Sequence, residues 1–294
     1  MSRIIILMGL LGLSVFNSHS IMAQESATSP RLKVLSYNIR YLNKNDGQDS
    51  WENRKLAVVE TIQTADVIGL QEVVDQQLDF IKRNTPDYQW YGVGRDDGKL
   101  AGEMTAIGWK TGRIQVLDKG TFWLSEASDK VGSKSWDAAL PRIASWIRLR
   151  MAGGDKSCLL VNTHFDHRGA IARKESAKLL RAWIAGNRQG LPAILIGDLN
   201  AQLGSEPLEE LLSNPNDGVN ELIDARQVAE QQDNGPNSTW NGFDHIVDKR
   251  RIDHILVVGK VGVESFLTLD PRTEAGRFAS DHLPVSAVLQ LIAD

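Results

Sequence analysis

The chain has 294 residues, 42% of them hydrophobic and 24% charged, a globular composition that excludes the disordered, collagen-like and low-complexity classes. Thirty-three lysines and arginines against 37 acids leave a net charge of −4, which argues against a broad basic surface for nucleic acid but leaves room for a nuclease with a small local site. The single cysteine, Cys158, excludes an intramolecular disulfide and a cysteine-rich zinc site, and its apolar neighbours read as those of a buried core thiol.

Arg3 is followed by an apolar stretch over 4–16, a polar segment over 17–20 and then Ile21-Met22-Ala23. That order is the pattern of an export signal, and the stretch is shorter than the roughly 20 residues a membrane-spanning helix needs. An uncleaved anchor is the alternative, because Ile21 is not the small residue usual two positions before the cleavage residue. The reading divides the chain into a signal over 1–23, a Ser/Thr/Pro-rich spacer over 24–30 and one domain over 31–294. The expected product is exported to the periplasm or beyond, has no stable membrane span after processing, and is monomeric.

Past the spacer, short β-type runs alternate with helical patterns, with no long linker and no internal repeat. Strands are predicted over 33–37, 66–70, 88–93, 105–109, 114–122, 144–150, 157–163, 193–196, 252–258, 263–269 and 284–291. Helices are predicted over 51–64, 75–84, 170–185 and 206–213, the third placing Ala172, Ser176, Leu179, Leu180 and Trp183 on one face. Short polar turns within 105–122 and 252–269 predict antiparallel pairing there. Mixed sheets with helices outside them bury this many strands in one domain.

The polar residues fall at the strand ends. One run ends in Asn38, another in Gln71-Glu72, a third in Asn162-Thr163-His164 and a fourth in Gly197-Asp198-Leu199-Asn200, whereas Asp253 and Asp281-His282 stand before their runs. If the last two strands run antiparallel to the first four, all six sites meet at one rim. Singly, each is more often a solvated strand end or a turn. Together they supply hard oxygen ligands for Mg2+ or Ca2+, an imidazole with a carboxylate partner, and amides able to orient a phosphate. This set suits metal-assisted attack of water on a phosphate ester.

In this order, across about 31–294, the motifs resemble the endonuclease/exonuclease/phosphatase superfamily, whose members include deoxyribonucleases, sphingomyelinases and inositol 5-phosphatases. The resemblance implies a four-layer α/β sandwich, two mixed β-sheets packed face to face and flanked by helices. It implies Glu72 as principal metal carboxylate with Asn38 beside it, Asp281 approaching the metal, and Mg2+ as the ion, with Mn2+ or Ca2+ as alternatives. Asp198 and Asn200 match the pair that positions water and phosphate. His282 resembles the general base, oriented by Asp253, and His164 the histidine that contacts the scissile phosphate. Arg40 stands where some abasic-site endonucleases carry a second acidic ligand; it binds a phosphate oxygen rather than a metal, which disfavours a repair endonuclease.

Segments around Trp123, Trp136 to Arg142, and Trp240 resemble an exported bacterial subgroup. Arg142 is read as a phosphate-holding residue and Trp240 as a wall for substrate, with core packing the equal alternative for each tryptophan. Asp166, His167 and Arg168 are read either as an extension of the site or as an exposed loop, and His245 as solvated. The expected substrate is a phosphate ester: small molecule, lipid headgroup or nucleic acid. A secreted nuclease, with Arg40, Arg142, Arg168 and Arg173 as groove residues, is the second reading. A non-catalytic binding module on the same fold is the third.

Overall fold

The computed structural model describes Met1 and residues 31–212, 222–231 and 235–292. Apart from Met1, the export signal and spacer read from the sequence lie outside the described residues, as does Ser213. No helix among the described residues is long and apolar enough to cross a membrane.

In chain order the first half contains β1 (Arg31–Asn38), α1 (Trp51–Ile62), β2 (Val67–Gln71), α2 (Asp75–Asn84), β3 (Tyr88–Tyr91), β4 (Ile107–Lys110) and β5 (Ile114–Trp123). The second half contains β6 (Ile143–Met151), β7 (Ser157–His164), α3 (Ala170–Asn187), β8 (Ala193–Asp198), α4 (Glu206–Leu212), β9 (Ile223–Asp224), α5 (Ala225–Val228), β10 (Asp253–Val258), β11 (Val261–Thr268) and β12 (Val285–Leu291). Every predicted strand and helix is present. The two-residue β9 and the one-turn α5 are too short for hydrophobic periodicity to reveal.

Two six-stranded sheets form, in the orders β11-β12-β1-β2-β4-β3 and β5-β6-β7-β8-β10-β9. Each has one parallel pair at its centre, β1 with β2 and β7 with β8, because only there does a helix, α1 or α3, return the chain to the same end. The flanking pairs are antiparallel. The turns expected to make hairpins within 105–122 and 252–269 do not: β4 and β5 lie in different sheets, as do β10 and β11. A short turn between two β-runs therefore carries the chain across the sandwich, since alternation sets which face of a strand is buried but not which strand lies beside it.

Alternation along each strand builds three cores. Leu32, Val34, Val67 and Ile107 of one sheet meet Leu160, Ile194, Ile196 and Ile255 of the other between the sheets. On the outer face of the first sheet, Leu35, Tyr37, Ile68 and Leu70 cover Val58, Ile62, Leu78 and Ile81 of α1 and α2. On the outer face of the second, Leu159, Val161, Leu195 and Leu256 cover Leu180, Ile184, Leu208 and Leu211 of α3 and α4. The result is a four-layer α/β sandwich. Cys158 is buried in the middle core, and burial pushes its thiol up to about 12.

At one point the sheets approach so closely that only glycine fits. A Cβ on Gly69 would lie 2.5 Å from Ile196 Cδ1 and 2.6 Å from Asn162 Cγ. Asn162 spans the gap, donating to the carbonyls of Leu70 and Ala106, each at 2.9 Å. Gly69→Ala is expected to lower stability by about 1–3 kcal/mol through overpacking. Urea unfolding measures it, and an unshifted midpoint would show that the sheets separate freely.

Candidate active site

The inner face of each central strand changes character along its length. In β1 the inward positions run Leu32, Val34, then Ser36 and Asn38; in β7, Cys158 and Leu160, then Asn162 and His164; in β8, Ile194 and Ile196, then Asp198. In β10 the order reverses, from Asp253 to Ile255 and Val257, and the strand pairs antiparallel to β8 with Asp253 opposite Asp198. β12, preceded by Asp281-His282, runs antiparallel to β1. The polar ends therefore extend the inter-sheet core at one rim, where they are buried without being apolar.

Backbone turns just past the strands aim these groups. Arg40, Glu72 and Asn200 have φ of 58°, 59° and 45°, a left-handed conformation costing a non-glycine residue about 1 kcal/mol or more and concentrated at functional sites. Gly197 precedes Asp198 because a Cβ there would lie 2.1 Å from Thr163 O. Buried Arg54 holds the β1 exit, donating to Arg40 O and Asp49 O at 2.9 Å and also to Ile39 O. It reaches Ala279 O at 3.3 Å, tying that exit to the segment before Asp281.

Asp198 is the hub. Its Oδ2 accepts from Asn38 Nδ2 at 3.0 Å and lies 3.4 Å from His164 Nε2 and 3.6 Å from His282 Nε2. Asn38 Nδ2 also contacts Glu72 Oε1 at 3.2 Å, and Glu72 Oε2 accepts from Tyr41 N at 3.1 Å. His282 Nδ1 meets Asp253 Oδ2 at 2.8 Å, and the Trp240 ring packs edge-on against the imidazole with centroids 4.8 Å apart. Asn200 Nδ2 stands 3.1 Å from His164 Nε2 and donates to Phe165 O at 3.1 Å. Arg40 forks onto Asp46 at 3.2 and 3.1 Å and sends Nη1 to within 3.7 Å of Asp281 Oδ2.

The two histidines touching Asp198 are driven apart. Burial alone would lower His282, but Asp253, Asp198 and Asp281 outweigh it and raise it to about 10. His164 is held well below its ordinary value by burial and by Arg142 and Arg95. Burial and Asp253 raise Asp198 to about 7, and burial also raises Asp281, with Glu72 adding to it.

Asn38, Glu72, His164, Asp198, Asn200, Asp253, Asp281 and His282 are thus gathered at one rim, with Arg40 and Trp240 at its edge. Arg142 has a different setting from the phosphate contact expected of it. It is 5% exposed, with Nη1 3.1 Å from His164 Nδ1, Nη2 3.0 Å from His167 Nδ1 and Nε 3.4 Å from Asp166 Oδ2. Asp166 is caged, accepting from Gly169 N at 2.7 Å, Arg168 N at 2.9 Å and Ala139 N at 3.1 Å. Trp123 is core, donating from Nε1 to Arg95 O at 2.7 Å, and His245 is exposed beside Asp244. The sequence did not point to Asp46, Arg95 and Glu103. Arg95 forks onto Glu103 at 2.8 and 3.0 Å, and both line a recess with Glu72, Arg142 and His164. They lie in irregular loops, where no periodicity marks a residue as inward-facing.

The donor set fits a hard divalent cation. The carboxylates of Glu72, Asp198, Asp253 and Asp281 outnumber the cations that touch them among the described residues, His282 and Arg40. Asp253 Oδ1 is buried without a hydrogen-bond partner. Asp198, Asp253 and His282 bring ligand atoms within 4.8 Å of one another. With Nδ1 of His282 bonded to Asp253, however, that trio has the geometry of an oriented base, and Glu72, Asn38 and Asp281 supply the oxygen ligands such a cation prefers.

The sequence profile described as the Endonuclease/Exonuclease/phosphatase family matches residues 35–282. No curated protein matches the chain. Among solved structures, an endonuclease/exonuclease/phosphatase from Bacteroides vulgatus is 35% identical with a TM-score of 0.84, the match covering 90% of this chain and 100% of that one. A family member from Bacteroides thetaiotaomicron is 36% identical, with a TM-score of 0.83 and the same coverage, 90% and 100%. A mannosyl-6-phosphatase from Bacteroides thetaiotaomicron VPI-5482 is 37% identical, with a TM-score of 0.80 and coverage of 88% and 99%.

Proposed function

Because this chain belongs to the endonuclease/exonuclease/phosphatase family, we propose that it is a divalent-metal-dependent hydrolase that cleaves phosphomonoesters of small hydroxylated molecules, sugar phosphates foremost. The observation that carries the chemistry is the His282–Asp253 contact of 2.8 Å, aimed at the same Asp198 oxygen that faces His164 and Asn38. The choice of a monoester rests on likeness to the mannosyl-6-phosphatase, 37% identical over 88% of the chain. Export to the periplasm or beyond and a monomeric state belong to the same proposal.

Asp253 accepts from Nδ1–H of His282, so the lone pair of Nε2 faces Asp198 and takes a proton from the attacking water. Asp198 accepts the water's other hydrogen and sets the direction of attack, while Asn200 holds an amide donor toward a phosphoryl oxygen. Glu72, Asn38 and Asp281 would hold Mg2+, with Mn2+ or Ca2+ as substitutes. Such an ion offsets charge on the phosphoryl oxygens and weakens the field that keeps His282 protonated.

Glu72→Ala is expected to raise the half-saturating Mg2+ concentration about tenfold or more, read by calorimetric titration and by activity; an unchanged value would remove Glu72 from the metal site. The substrate is tested by a panel of sugar phosphates, inositol phosphates, phospholipids, DNA and RNA with each metal, using His282→Ala protein as the blank. Cleavage of nucleic acid alone, weakened by salt, would replace the monoesterase with the nuclease. Inertness on all of them would leave a binding module.

A further inference from the structure

The Arg142 guanidinium is buried behind the site with its donors engaged, toward His164 Nδ1 at 3.1 Å, His167 Nδ1 at 3.0 Å and Asp166 at 3.4 Å. A guanidinium only donates. Each contacted ring nitrogen must therefore offer a lone pair, and a neutral imidazole accepting at Nδ1 carries its proton on Nε2. The carboxylate that could instead draw a proton to Nδ1 of His164, Glu103, is 4.0 Å away, beyond hydrogen-bond reach, and is engaged by the Arg95 fork. Asp166, caged by backbone amides, anchors the guanidinium in turn.

We propose that Arg142 is a positioning residue that fixes His164 and His167 in the Nε2–H tautomer, so that His164 presents an N–H donor to the phosphoryl group and exposed His167 presents a second one, at the mouth, to a hydroxyl of the leaving group. This rests on the phosphate-ester reading above. His164 Nε2 already faces an acceptor, Asp198 Oδ2 at 3.4 Å, and Asn200 Nδ2, 3.1 Å from the same nitrogen, directs a hydrogen to Phe165 O instead. His167 shares the Arg142 guanidinium with His164, its Nδ1 held 3.0 Å from Nη2, and its ring is exposed. Burial and neighbouring arginines keep His164 neutral, as a donor of this kind must be. A single guanidinium thus sets two hydrogen-bond donors.

The test is two-bond 1H–15N spectroscopy of histidine-labelled protein without substrate, assigned with His164→Gln and His167→Gln. The expected spectrum shows both rings as Nε2–H tautomers; Nδ1–H or a doubly protonated ring at either position at pH 7 overturns the assignment. Arg142→Gln, whose carbonyl can accept from Nδ1–H, should release the tautomer and lower kcat on the order of a hundredfold with KM nearly unchanged. The same substitution in His164→Ala protein should lower kcat no further, and an additive loss overturns the link. Arg142→Lys keeps a donor in place and should retain the tautomer, deciding the matter if Arg142→Gln does not fold. His167→Ala should raise KM for a sugar phosphate but not for p-nitrophenyl phosphate, and equal effects on both overturn its role. A protein with both Nε2–H tautomers yet inert on every phosphate ester overturns the catalytic use and the hydrolase reading together. An active enzyme with Nδ1–H tautomers overturns the tautomer assignment alone.

Discussion

His282→Ala is expected to lower turnover by about a hundredfold or more at saturating Mg2+, because it removes the imidazole that Asp253 orients, 2.8 Å from Nδ1, to take the proton of the attacking water. The nearest imidazole, His164, is held neutral and faces Asp198 through Nε2, which lies 3.4 Å from Oδ2. The same substitution removes the cation between Asp253 and Asp198, and stripping one partner from a buried pair costs about 3–5 kcal/mol. Activity is therefore compared at a temperature where circular dichroism shows the variant folded. In metal-free wild type, His282 is raised from 6.5 to about 10 in the fold. The stabilisation it contributes is complete below pH 6.5, declines as pH rises, and is gone above about 10. That slope should disappear from the unfolding curves of His282→Ala. Near-native turnover, or an unchanged slope, would remove His282 from the role of base.

Asp198→Asn should separate activity from stability in the opposite sense. Its Oδ2 serves Asn38, His164 and His282 at once, and an amide cannot orient water, balance an imidazolium and accept from Asn38 together. A loss of about a hundredfold to a thousandfold in kcat is expected. Burial and Asp253 raise the carboxyl to about 7, so the fold destabilises its ionised form increasingly as pH climbs from 3.8 toward 7. The neutral isostere escapes this, and the metal-free variant should melt above wild type at pH 8, as expected where activity depends on a destabilised site. A lower melting temperature would mean that the carboxylate holds the strand ends together instead of straining them.

Much of this was legible beforehand, for a local reason. Whether a residue faces the core is decided by alternation along its own strand, so Leu32, Val34 and the polar Ser36 and Asn38 beyond them could be read directly, as could the reversed order of Asp253 and Ile255. The crossing of β4 to β5 between sheets was not legible, because two runs joined by a short turn look alike whether they pair or part. Nor were Arg95, Glu103 and Asp46, which lie in loops whose course follows from what they pack against.

Residue order alone determined the strands, their inward faces and which strand ends carry acids, amides and histidines, since these depend on near neighbours along the chain. Only the tertiary structure decided that Arg142 lies behind His164 and His167, and that His164 and His282 differ in charge. Burial and the charges of groups far apart in sequence set both outcomes: His164 faces two arginines and His282 three carboxylates.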